Sequence, residues 1–119
     1  MNFWRGSRNK YGAKPVTDAG QRFDSQGEFR RWCELVLLQK AGQIAGLERQ
    51  KRYRLEVNGV HVCDYVADFR YQETGLAPTG IVVEDFKSSA TMTPIFAIKR
   101  KLMKACYGIE VRVTGKGAK

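Results

Sequence analysis

Histidine is almost absent from this chain, with His61 alone among 119 residues. The three cysteines, Cys33, Cys63 and Cys106, are odd in number and scattered without the paired spacing of a zinc site, so zinc is not expected. Cys33 and Cys106 fall at apolar helix positions and read as buried, inert thiols, and His61 reads as decoration on a strand. No apolar run approaches the roughly 20 residues needed to cross a bilayer, and there is no apolar signal-peptide region. A soluble, cytoplasmic protein with no membrane association is therefore expected. Acid is scarce too: 12 Asp and Glu stand against 21 Lys and Arg, a formal charge of +9. Such an excess points to a polyanionic partner, nucleic acid before others. A chain of 119 residues makes one domain with one modest core. No repeat or low-complexity tract interrupts it.

What is present is organised around Ile81 to Lys87, read Ile-Val-Val-Glu-Asp-Phe-Lys. Alternation along a strand puts Val83, Asp85 and Lys87 on one face and Val82, Glu84 and Phe86 on the other. Asp85 and Lys87 then act together, with Cα atoms about 6.6 Å apart, while Glu84 looks away. A catalytic carboxylate needs a second ligand for its metal, and the preceding apolar run, Val60 to Tyr71, supplies Asp68. If the two runs form a hairpin around Gln72 to Gly80, paired residue numbers sum to about 152 or 153. At 153, Asp68 lies opposite Asp85, with Cβ atoms roughly 5 Å apart and on one face. Like charges so placed are destabilising unless a cation neutralises them. Asp64 shares that face but stands about 13 Å further along, too far for the same ion. A slip of one residue would set Asp68 against Glu84 instead. The alternative reading of Asp68, Asp85 and Lys87 is a buried structural ion pair.

The remaining elements follow in order. Met1 to Asp24 mixes Arg5, Arg8, Lys10, Lys14 and Arg22 with small polar residues and reads as a flexible basic arm. The arm either tracks a phosphate backbone, with Phe3, Trp4 and Tyr11 to stack on bases, or is a solvated tail. Ser25 opens a helix whose apolar stripe is Phe29, Trp32, Cys33, Val36 and Leu37, stopping near Gly42. Ser25 to Glu28 fits a capping box, and Arg30, Arg31 and Lys40 read as a solvated face. After a linker from Ile44 to Arg49, Arg52 to Val57 alternates as a strand, and Asn58-Gly59 is a type I′ hairpin signal. Val60 to Tyr71 is apolar on both faces, as a strand covered by helices would be. Thr93-Pro94 starts a second helix with Ile95, Ile98, Leu102 and Cys106 as its stripe, ended by Gly108. Its basic residues Lys99, Arg100, Lys101 and Lys104 either face solvent or contact a DNA backbone. Ile109 to Val113 is a last strand, parallel to Ile81–Lys87 because a helix connects them. The expected fold is α/β in the order αβββαβ, a mixed four-stranded sheet flanked by helices over residues 25–113, with a basic arm at 1–24 and a tail at 114–119.

An acid on one strand and Asp85-Phe86-Lys87 on the next, with Glu28 on a helix before them, resembles the PD-(D/E)XK nuclease superfamily. Within it the chain is similar to small phage-encoded endonucleases related to endonuclease I and the Holliday junction resolvases. The likeness is carried by Lys10-Tyr11-Gly12-Ala13-Lys14, Phe23-Asp24-Ser25, Tyr65-Val66-Ala67-Asp68-Phe69 and Val83-Glu84-Asp85-Phe86-Lys87, and covers about Lys10 to Val113. Ala67 stands where the signature has proline. The resemblance implies a restriction-endonuclease-like core and hydrolysis of DNA phosphodiesters. It also implies Mg²⁺, with Mn²⁺ as substitute and no small-molecule cofactor, held by Asp68, Asp85 and the carbonyl of Phe86. Lys87 would position water or offset negative charge, and Glu28 would face the metal rather than cap its helix. The implied substrate is branched DNA such as a four-way junction, cut in a bacterial host cytoplasm by a homodimer with one site per subunit.

Overall fold

The computed structural model describes residues 15–18, 20–75 and 80–115. A short hairpin of β1 (Val16–Asp18) and β2 (Gln21–Phe23) precedes α1 (Gln26–Lys40), then come β3 (Ile44–Val57), β4 (Val60–Glu73) and β5 (Ile81–Phe86). A 3-10 turn at Ser89–Thr91 leads to α2 (Pro94–Tyr107) and β6 (Arg112–Thr114). β3, β4, β5 and β6 lie side by side in that order, antiparallel except for the parallel β5–β6 pair. From α1 onward the order is αβββαβ around a mixed four-stranded sheet, as the pattern of the sequence required.

The sheet is covered on both sides. Adjacent β5 residues separate the two cores: Val83 joins Leu55, Tyr65, Ala67, Phe96, Met103 and Val111 on the α2 side, whereas Val82 joins Leu35, Ile44, Phe69 and Tyr71 on the α1 side. The expected register of 153 holds, since Phe69 pairs with Glu84, Arg70 with Val83, Tyr71 with Val82 and Gln72 with Ile81. Asn58 and Gly59 take φ of 52° and 80° at the β3–β4 turn, both in the left-handed region that a type I′ turn demands.

Several local expectations need correction. The arm does not run to Asp24: residues 16–18 and 21–23 pair as strands, and Phe23 is fully buried against Phe29 and Trp32. The supposed linker at 44–49 is part of β3, whose alternation is scrambled by a register shift between Ala45 and Glu48 around Gly46 at φ 66°. Along β4 the outer valines Val60 and Val62 are exposed, because β5 covers only the inner part of the strand. β6 begins at Arg112, later than Ile109.

Both helices keep their expected ends and lose their expected phase. Ser25 Oγ accepts from the Glu28 amide at 3.1 Å and Thr93 Oγ1 from the Phe96 amide at 3.2 Å, while Gly108 closes α2 at φ 70°. α1, however, buries Glu28 and Leu35, with Trp32 and Leu38 beside them; Leu37 and Cys33 are exposed. α2 buries Phe96 and Met103, leaving Ile95 and Ile98 more than half exposed and Leu102 and Cys106 at the margin. In each helix two apolar stripes fit the 3.6-residue period, and contacts with distant residues decide between them. Arg31, expected in solvent, anchors α1 by a two-pronged bond to the fully buried Glu84, Nε at 2.6 Å and Nη2 at 2.9 Å. Tyr71 donates to the same carboxylate at 2.6 Å, and burial first, then this bond, push the phenol up to about 12.

Candidate active site

The extended register places Asp68 opposite Asp85, one step beyond the last ladder pair, Phe69 with Glu84. There the two strands exchange side-chain bonds in place of ladder bonds. The Asp68 amide donates to Asp85 Oδ1 at 3.2 Å, and the Phe86 amide donates to Asp68 Oδ2 at 2.8 Å. Each acid is thus locked to the backbone of the other's strand. Asp85 is 2% exposed, and its Oδ2 also accepts from Tyr65 Oη at 2.9 Å. Lys87 reaches that same oxygen at 3.5 Å and lies over the Phe96 ring, 4.4 Å from its centroid. Asp85 and Lys87 share a face and Glu84 occupies the other, as alternation required.

Two neighbouring acids in a poorly solvated place do not both ionise readily. Burial first, and then the charge of Asp85, push Asp68 up to about 9. Burial and then Asp85 raise the Tyr65 hydroxyl far above its ordinary value, so it serves as a donor. A divalent cation between the two carboxylates would offset the same repulsion. Among the described residues no three His, Cys, Asp or Glu side chains gather at one point, so the side-chain ligands of such an ion would be two carboxylates. That donor set fits Mg²⁺, a hard ion that accepts oxygen ligands and keeps several waters. The Phe86 carbonyl, between Asp85 and Lys87 in the chain, would join them.

Glu28 adopts parts of both readings offered for it. It is 3% exposed, and its Oε1 accepts from the amide of Asp24 at 3.3 Å, one residue before the cap position that a capping box would use. Its Oε2 meets Arg49 Nη2 at 3.5 Å. Burial and then Asp24 raise its pKa, with Arg49 opposing them, and its charge in turn acts on Asp68. Glu28 therefore lies within electrostatic range of the acid pair without completing a three-carboxylate cluster.

A family model described as "Protein of unknown function (DUF1064)" matches residues 8–117. The chain belongs to the DUF1064 family. No curated protein and no solved structure matches it.

The basic residues expected to meet DNA are divided in this DUF1064 chain. Arg5, Arg8, Lys10 and Lys14 lie outside the described residues. On α2, Lys101 and Lys104 are exposed, the latter 3.7 Å from Glu110. Lys99 and Arg100 are half-buried, and Arg100 Nε donates to the Val111 carbonyl at 3.2 Å, so these four do not form one free face. The rotation that buries Phe96 and Met103 carries the stems of Lys99 and Arg100 toward the sheet.

Sequence reasoning missed Tyr65 and Arg49. Tyr65 is three residues from Asp68, which strict alternation sends to the opposite face. Yet the inward side of β4 changes between Ala67, packed with Val83, and Phe69, packed with Val82. Opposite this change on β3, between the pairs Arg49–Phe69 and Lys51–Ala67, Gln50 takes φ 54°. A glutamine rarely adopts that backbone, so nothing in the linear pattern announced the break. Arg49, in the supposed linker, stacks over Phe23 at 3.8 Å and donates to the Arg22 carbonyl at 2.9 Å. It fastens the β1–β2 hairpin and Glu28 to the sheet.

Proposed function

We propose that this DUF1064 protein is a metal-dependent endonuclease that hydrolyses DNA phosphodiester bonds. The observation that carries the reading is the pair of a half-buried Asp68 and a buried Asp85, opposed in register, with Asp68 pushed up to about 9 and a lysine 3.5 Å from Asp85. Two opposed acids cost stability unless their charges are offset, and a cation-binding role would account for a second acid beside the one that Lys87 already meets. Mg²⁺ or Mn²⁺ would polarise the phosphoryl group and lower the pKa of water. The chain's own groups do the rest. Tyr65 and the Asp68 amide fix the Asp85 carboxylate in one rotamer, and the Phe86 amide does the same for Asp68. Lys87, steered by Phe96 and Asp85, holds the attacking water or offsets the charge that grows on the phosphate oxygens. Water adds to phosphorus as the bond to the leaving sugar oxygen breaks; the water loses a proton and the leaving oxygen gains one.

The formal charge of +9 supports a polyanionic substrate. Branched DNA, for which two coordinated cuts by a homodimer are required, is the substrate we favour, and the host cytoplasm is the compartment that goes with it. A second reading, a DNA-binding protein without catalysis, draws on the bonds that already hold both acids without any cation. Purified protein incubated with supercoiled, single-stranded and four-way-junction DNA separates the two. Cleavage that needs Mg²⁺, stops with chelator and disappears in Asp85→Ala while binding persists is the expected result. Binding without cutting under any divalent ion would overturn the enzymatic reading, and no affinity for DNA at moderate salt would overturn both.

A further inference from the structure

The residue between the acid and the lysine, Phe86, is gripped in a way that its strand position alone does not require. Gly27 lies in the first turn of α1, directly before Glu28, and Gly115 directly follows β6. A methyl group at Gly27 would fall 2.2 Å from Phe86 Cζ and 2.6 Å from Cε1. One at Gly115 would fall 2.9 Å from Cε2 and from Cζ, and 2.7 Å from the Lys87 carbonyl oxygen. All are far inside van der Waals contact, so the ring is held between two stretches of bare backbone. Gly115 has φ 88° and needs glycine for its conformation as well. Gly27 has no such reason: its φ is not positive, and alanine is the better residue within a helix. The three nearest atoms that a side chain there would meet all belong to this ring.

We propose that Phe86 is a positioning residue, a peg that sets the site by holding the strand of Asp85 and Lys87 against the helix that carries Glu28. Its ring enters the gap between α1 and the end of β6, while its backbone amide holds Asp68 Oδ2 at 2.8 Å and its carbonyl would be the third cation ligand. A shift of the ring therefore moves Asp68, the carbonyl and Lys87 together. This inference rests on the cation-dependent reading and adds to it the means by which the ligands are aligned.

The test uses the full chain with Gly27→Ala, Phe86→Leu and the double variant, none of which removes a side-chain ligand. Mg²⁺ and Mn²⁺ affinity is measured by calorimetry without DNA, and kcat and KM on junction DNA are measured in parallel. Gly27→Ala is expected to weaken cation affinity at least tenfold and to lower kcat, with KM for DNA changed less than twofold. Leucine lacks the colliding Cε1 and Cζ atoms, and the alanine methyl refills the space that leucine alone leaves empty, so the double variant is expected to recover cation affinity to within about threefold of the wild type while Phe86→Leu alone is weakened. Wild-type affinity in Gly27→Ala, or a loss that Phe86→Leu does not relieve, would overturn the proposal. If Gly27→Ala does not fold, Phe86→Leu alone decides: weakened cation affinity at unchanged KM supports the peg, and wild-type affinity overturns it. A wild type that binds the cation but does not cut DNA removes the nuclease reading while cation affinity still tests the peg. A wild type that binds no divalent cation overturns both.

Discussion

Replacing Asp68 by asparagine separates the electrostatics of the acid pair from its hydrogen bonds. The asparagine carbonyl can accept from the Phe86 amide, now 2.8 Å from Asp68 Oδ2, and its NH₂ can donate toward Asp85 as a protonated acid does. In the wild type a carboxyl with an ordinary value of 3.8 is pushed up to about 9, so the folded protein keeps a proton that the unfolded chain has released. Stability from this group is complete below about pH 4 and drains away as the pH rises, levelling off above about pH 9. Each unit of difference corresponds to about 1.4 kcal/mol, so at pH 7 the loss is on the order of 4 kcal/mol. The asparagine has no proton to lose. In chelator, urea unfolding at pH 5, 6.5 and 8 is expected to show the variant gaining on the wild type by roughly 1 kcal/mol for each unit of pH. Mg²⁺ should reverse the order, raising the wild-type melting temperature more at pH 8 than at pH 5 and leaving the variant unmoved. A difference between the two proteins that is constant from pH 5 to 8 would refute the claim that these carboxylates oppose each other.

Tyr65→Phe removes the buried donor to Asp85 and is expected to cost about 1.5–3 kcal/mol by denaturant titration, with more Mg²⁺ needed to reach half-maximal stabilisation. Arg31→Ala leaves Glu84 buried without its partner and should cost about 3–5 kcal/mol, whereas Glu34→Ala, on the exposed side of the same arginine, should stay within about 0.5 kcal/mol of the wild type. Lys101→Ala is expected to reduce the slope of log affinity for DNA against log salt by about 0.9 without changing the melting temperature. Arg100→Ala should do the opposite, lowering the melting temperature through loss of the Val111 contact while leaving the salt slope in place.

The register of the acid pair was legible because two apolar runs and a loop of known length allow few alignments, and only one of them opposes Asp68 to Asp85. The hairpin turn at Asn58-Gly59 and the caps at Ser25, Thr93 and Gly108 were legible for a similar reason: each residue type has one local backbone that it serves. Helix phase was not. Ile95 and Ile98 fit a buried stripe as well as Phe96 does, and the choice is made by distant partners, Tyr65 for Phe96 and Glu84 for Arg31. The β1–β2 hairpin escaped notice because strands of three residues carry too little alternation to register, and among its described residues Phe23 is the only fully buried side chain. Tyr65 escaped because its approach to Asp85 depends on a fault in the pleat, and pleat faults leave no signature in residue type.

That fault has a bearing on how the molecule tolerates change. Since β4 turns over between Ala67 and Phe69, its outward half, paired with β3 alone, and its inward half, paired with both β3 and β5, are keyed to separate interiors. A residue gained or lost near the Asn58-Gly59 tip would displace side chains of the outer half alone. The alignment that brings the aspartates face to face is anchored by Phe69 to Gln72, and would survive intact.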